Sequence, residues 1–298
     1  MNKFSMTKLL ITRTCNAKCP YCAVPTIKTK DAPVDELMRA MPIIDRVSDF
    51  LAVQGGEPTL SPNLDTVIEY LSSHRSADSF VLVTNGITLK DVKYRQHLKA
   101  IGVENISISY DSFKTWNERL IKDIIEEFKY VTICTIYDRF MVGKFIPLLD
   151  HLATFGARIV MNPIIWHHDD GFTTWFTGPR DQPNAIPMEM KAQVERDMKG
   201  VIANYDRYNL INGKQFIEMI PKYGLDMSWH CKQWTTLEVN NDLRVQFCQD
   251  LWASQYTIFD IESKFDEMER AHHEETKRCS GCYNNCYTEI EFGKRNRM

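Results

Sequence analysis

Cys15, Cys19 and Cys22 stand in the stretch TCNAKCPYC, directly after the apolar run KLLIT. Three thiolates spaced C-x3-C-x2-C on one loop can wrap a face of an iron–sulfur cube, binding three irons and leaving the fourth without a protein ligand. An iron left open in this way is a place for chemistry. A structural zinc ordinarily takes four protein ligands, often as paired CxxC units, so this trio would need a distant residue such as His74 to complete one. A second group lies far downstream, with Cys231 and Cys248 followed by Cys279, Cys282 and Cys286 as C-x2-C-x3-C. Four thiolates of that group also suit a tetrahedral structural zinc. The ninth cysteine, Cys134 in YVTICTIY, reads as a small buried side chain of a strand.

A chain of 298 residues, 44% hydrophobic and 25% charged, is long enough for one large domain or a domain with an appendage. The formal net charge of -3 gives no overall electrostatic drive toward nucleic acid or a membrane, although the tail GKRNRM is locally basic. The apolar run near the N-terminus is too short for a signal peptide and no window approaches a membrane span, so the expected compartment is the cytoplasm. In that reducing setting, nine cysteines are read as metal or redox chemistry before disulfides.

Short β-branched and aliphatic runs at 8–12, 49–55, 80–86, 105–111, 130–137 and 157–163 read as strands. Between them, 35–47, 62–74, 90–100, 115–128 and 143–155 carry apolar residues at three- and four-residue intervals and read as helices. Repeated βαβ units with right-handed crossovers give an α/β fold with a parallel sheet, curved as part of a barrel. Loops leaving the carboxyl ends of such strands hold the chemistry, which brings the cysteine loop, QGGEP and TNG to one rim. Residues 1–163 are therefore expected to form the barrel. Residues 164–225, rich in aromatics, glycine and proline at their start, read as an insertion placed to act as a lid, with a helix at 188–207. In residues 226–298, alternation on either side of Asn240-Asn241-Asp242 signals a β-hairpin, and a helix near 259–272 leads into CSGCYNNC.

CNAKCPYC resembles the cysteine signature of the radical S-adenosylmethionine enzymes, whose fold is a partial (β/α)6 barrel. The resemblance implies a [4Fe-4S] cluster on Cys15, Cys19 and Cys22 whose open iron chelates S-adenosylmethionine and passes it one electron. A 5'-deoxyadenosyl radical then removes a hydrogen atom from the substrate. It also implies Tyr21 near the adenine, and Gly55, Gly56 and Glu57 of GGEP receiving the methionine ammonium. Ser109 and Asp111 of ISYDS are implied near the methionine carboxylate or the ribose, and Thr84, Asn85, Thr135 and Asn162 as lining for the same cavity. An electron donor such as flavodoxin or ferredoxin comes with that chemistry.

The downstream cysteines resemble the Twitch and SPASM extensions of that family. By that likeness Cys231, Cys248, Cys279 and Cys282 would hold one auxiliary [4Fe-4S] cluster in a small C-terminal hairpin and helix domain. Cys286 is then the spare thiol and a candidate hydrogen donor. An epimerase needs such a donor, whereas a dehydrogenase needs an electron acceptor, and the inventory serves either. The expected substrate is a polar small molecule such as an amino sugar or cyclitol; a ribosomal peptide is the alternative, and a nucleotide stays open. Trp166, His167, His168, Asp169, Asp170, Trp175 and Arg180 offer aromatic walls and charge for it. An iron–sulfur regulatory protein without turnover is the non-enzyme reading.

Overall fold

The computed structural model describes residues 4–22, 24, 29–111, 116–164, 186–223, 234–248 and 253–277. Cys231, Cys279, Cys282 and Cys286 lie outside these residues, as do the seven aromatic and charged candidates between Trp166 and Arg180.

Six strands alternate with helices, as the periodicity requires. They are β1 (Met6–Leu10), β2 (Leu51–Gln54), β3 (Phe80–Thr84), β4 (Asn105–Tyr110), β5 (Tyr130–Tyr137) and β6 (Arg158–Pro163). Each runs parallel to its neighbour. Helices α1 (Val34–Val47), α2 (Leu64–His74), α3 (Val92–Ala100), α4 (Glu118–Glu127) and α5 (Phe145–Ala153) make the crossovers. Their starts are written locally. The Asp91 side chain accepts from Lys93 N–H at the head of α3, and Asn117 accepts from Arg119 N–H at the head of α4.

Strand residues alternate between two faces. On one, Leu9, Val53, Leu82, Ile108, Ile133 and Met161 pack against the helices in a single core. That face receives Leu37, Ala40, Met41 and Ile44 of α1, three- and four-residue spacings that put them on one side of the helix. The other face is more polar. Ser107, Thr132 and Arg158 lie in register across β4, β5 and β6, and Ser109 lies beside Cys134.

Two features depart from the expected arrangement. The hairpin of β7 (Thr236–Val239) and β8 (Val245–Gln246) continues the central sheet, because β7 pairs parallel to β1. The strand order is β6-β5-β4-β3-β2-β1-β7-β8, open at both ends. Second, the helix read at 188–207 is the shorter α6 (Lys191–Ala203), and a further helix of the insertion, α7 (Lys214–Tyr223), follows where the sequence reading gave no bounds. The last helix, α8, spans Phe265–Thr276. No helix among the described residues is long and apolar enough to cross a membrane.

Candidate active site

Residues 11–22 leave β1 and fold over the carboxyl end of the sheet. There Tyr21 packs with Ile136 and Ile164, and Cys19 and Cys22 lie against them. The loop is shaped by its own hydrogen bonds, Cys22 N–H to the Cys19 carbonyl at 3.1 Å and Ala17 N–H to Cys15 Sγ at 3.4 Å. All three thiols are half-buried.

The exit of β2 interlocks with this loop. Gly56 N–H donates to the Thr12 carbonyl at 2.8 Å and Glu57 N–H to that of Thr14 at 2.7 Å. A Cβ at Gly55 would strike the Thr12 carbonyl oxygen, and one at Gly56 would lie 2.5 Å from that of Arg13. The close backbone approach that needs glycine is thus made to the cysteine loop itself.

Glu57 is 0% exposed. Its Oε1 accepts from Thr59 N–H (3.1 Å), Thr59 Oγ1 (2.6 Å) and Thr84 Oγ1 (2.7 Å), and its Oε2 from Asn85 N–H (2.7 Å). A carboxylate must be bonded in this way to be buried without a cation. It joins the exits of β2 and β3. From the latter, Asn85 Nδ2 donates to Asn16 Oδ1 at 2.8 Å and approaches Cys15 Sγ at 3.8 Å.

On the fourth strand's exit, Asp111 is buried and its Oδ2 accepts from the Tyr21 hydroxyl at 2.6 Å. Burial first, then the charge of Asp111 and the Cys19 thiol, push the Tyr21 pKa far up, so this phenol is a fixed donor. Ser109 is half-buried on the polar face, where Asn162 Nδ2 donates to Cys134 Sγ at 2.7 Å. Alternation puts Thr135 on the opposite face, fully buried between Tyr110 and Met161 of the neighbouring strands, so the structure does not bring it to the others. Cys134 faces the polar side half-buried, more open than its sequence context indicated.

A further group holds the cysteine loop from behind and was not legible in the sequence. Arg13 donates from Nε to Asn241 Oδ1 (2.9 Å) and from a terminal nitrogen to Asn240 Oδ1 (2.7 Å). Asn241 also donates to Asp31 (2.7 Å), which accepts from Thr12 Oγ1 (2.7 Å). Asn240 Nδ2 donates to Gln246, and Gln246 Nε2 to the carbonyl of Cys248 at 2.8 Å. Burial lowers the Arg13 pKa from its ordinary value, with Asp242 opposing. Its neighbours here are amides, and only the turn residues Asn-Asn-Asp gave any hint, as a hairpin signal.

Among the described residues no three His, Cys, Asp or Glu side chains converge on one ion. A cube takes each thiolate on a different iron, so three thiols spread along one loop fit it better than they fit a single zinc. His74 cannot complete such a zinc. It sits exposed at the carboxyl end of α2, across the sheet from the loop, with Nδ1 on the Tyr70 carbonyl at 2.8 Å.

Residues 9–141 match the Radical SAM superfamily. A GTP 3',8-cyclase of Helicobacter pylori is 31% identical over 121 residues, which is 39% of this chain and 36% of that enzyme. Another, of Campylobacter jejuni subsp. doylei, is 27% identical over 133 residues, 42% of this chain and 41% of its own length. The match therefore spans less than half of either relative. Among solved structures, Streptococcus suis SuiB bound to S-adenosylmethionine superposes with a TM-score of 0.64 at 12% identity, covering 97% of this chain and 74% of that one. Histidine-tagged anSMEcpe with bound AdoMet gives 0.65 at 16% identity, covering 92% of this chain and 83% of that one. These two likenesses are of fold. The segment that carries both the cysteine loop and the interlocked second-strand exit is thus a Radical SAM domain, matched over residues 9–141.

Proposed function

We propose that the protein is a radical S-adenosylmethionine enzyme that removes a hydrogen atom from a polar small molecule, such as an amino sugar or cyclitol, as an epimerase or dehydrogenase. The observation that carries the reading is the interlock of the cysteine loop with residues 55–57 through two backbone hydrogen bonds. It holds a metal-binding loop and a cosubstrate-binding exit as one rigid rim. Cys15, Cys19 and Cys22 would hold a [4Fe-4S] cluster, with residues 55–57 meeting the methionine end and Tyr21, Asp111 and Ser109 the nucleoside end. When bound, the cluster supplies the electron that makes the adenosyl radical, drawn from a donor of the flavodoxin or ferredoxin type. The chain's own part is to orient the cosubstrate and keep water out, which the packing of Tyr21 on Ile136 and Ile164 serves.

Ser107, Ser109, Thr132, Cys134 and Asn162 line the sheet face beneath this rim with hydrogen-bonding groups, which favours a hydroxylated or amino substrate. Cys231, Cys248, Cys279 and Cys282 would hold an auxiliary cluster, with Cys286 as the spare thiol. A peptide substrate is the second reading, favoured by the fold shared with SuiB bound to precursor peptide SuiA, a TM-score of 0.62. The name of the sequence relatives adds a nucleotide to the substrates to be tried.

Incubation of the reduced, iron-loaded protein with S-adenosylmethionine and candidate polyols, peptides or GTP in deuterated water separates these readings. Deuterium in a product of unchanged formula marks epimerisation, and a product two hydrogens lighter marks oxidation. Consumption of a peptide or GTP with polyols untouched would overturn the small-molecule reading.

A further inference from the structure

Every hydrogen-bonding group of the Asn85 side chain can be accounted for. An amide offers one carbonyl oxygen and two N–H donors. Asn85 Oδ1 accepts from Ile87 N–H at 2.9 Å, which fixes the amide's orientation, because the flipped amide would set two donors face to face. The nitrogen therefore points at the cysteine loop, where its partners are Asn16 Oδ1 at 2.8 Å and Cys15 Sγ at 3.8 Å. The backbone of the same residue is anchored by Glu57, and so is Thr84 before it. Of the carboxylate's two oxygens, each with about two acceptor positions, Oε1 is shared by three donors and Oε2 takes one.

We infer that Asn85 is a positioning residue that donates an N–H hydrogen bond to the Cys15 sulfur, and that Glu57 acts through it by clamping the exit of β3. This rests on the proposed function in taking Cys15 as a cluster ligand. A donor on a ligating sulfur stabilises the more negative, reduced state of the cluster and so raises its reduction potential.

The test is a redox titration of the full-length, iron-loaded protein, following the reduced-cluster resonance that changes when S-adenosylmethionine is added. Asn85→Ala removes the donor. Asn85→Leu keeps about the same bulk with neither a donor nor an added charge, and decides the matter if the alanine variant fails to load iron. Each should make reduction about tenfold less favourable, a midpoint about 59 mV lower for one electron. Glu57→Gln should lower the midpoint in the same direction. The double variant Asn85→Ala/Glu57→Gln should go no lower than Asn85→Ala, because the clamp works through the residue already lost. A loaded Asn85 variant with the wild-type midpoint overturns the inference, and additive shifts overturn the role given to Glu57. A wild-type protein with no resonance that responds to S-adenosylmethionine would instead overturn the proposed function.

Discussion

A methyl group at Gly56 would meet the Arg13 and Thr14 carbonyls, and neither backbone segment can yield without moving the cysteines that follow. Gly56→Ala should cost about 1–3 kcal/mol by overpacking, and the reconstituted variant should retain less iron per chain than wild type. Tyr21 makes a second residue-scale case. Its ring packs with Ile136 and Ile164 while its hydroxyl serves Asp111, so Tyr21→Phe keeps the packing and deletes the donor. A hydrogen bond to a charged group is worth about 1.5–3 kcal/mol, and urea unfolding of the variant should show a loss in that range. The residue types at this scale were legible: the cysteine spacing, GGEP and the aromatic before Cys22 all stood out. Their partners were not. Nothing local says that Glu57 would meet Thr84 and Asn85, because that meeting depends on two strands lying side by side.

At the scale of elements, the β7–β8 turn reaches the cysteine loop through Asn240 and Asn241. Asn241→Ala withdraws partners from Arg13 and Asp31, and should cost about 1–3 kcal/mol and slow iron loading, as measured by unfolding and by absorbance during reconstitution. Helix α8 docks through His272, whose ring stacks on Trp234 at 5.7 Å and whose Nδ1 is buried without a hydrogen-bond partner. Burial, with a smaller push from His273, lowers its pKa from 6.5 to about 4. Between those values the unfolded chain binds the extra proton and the folded chain does not, so stability falls as pH falls from 6.5 towards 4. The loss should approach about 3 kcal/mol and should be absent in His272→Phe, measured by unfolding across that pH range.

The same scale shows what periodicity can carry. Strands and helices of the barrel were readable because each buries one face against the next. Helix α7 was not, since its Phe216, Ile217 and Ile220 sit in a short segment with Pro221 near its end, flanked by turn-forming residues. Thr135 shows the converse limit, because a strand assignment gives alternation without saying which face is which.

At the scale of the whole molecule, the described residues build one sheet from β6 to β8, and the contact between its first strand and the late hairpin was invisible in a linear pattern. Lys8 and Glu238 form a buried ion pair at 3.0 Å across that junction. Lys8→Met should cost about 3–5 kcal/mol by leaving the buried carboxylate without this cation, while Lys8→Met/Glu238→Leu should recover much of the loss in the same unfolding measurement.

In the proposed function an open iron, held by Cys15, Cys19 and Cys22, would take S-adenosylmethionine and cleave it. The most direct measurement is 5'-deoxyadenosine released per chain after anaerobic reduction with S-adenosylmethionine present. Wild type should release it. The protein with Cys15, Cys19 and Cys22 all replaced by alanine should release none, and Cys134→Ala should still release it. No release from iron-loaded wild type, or equal release from the triple variant, would contradict the account.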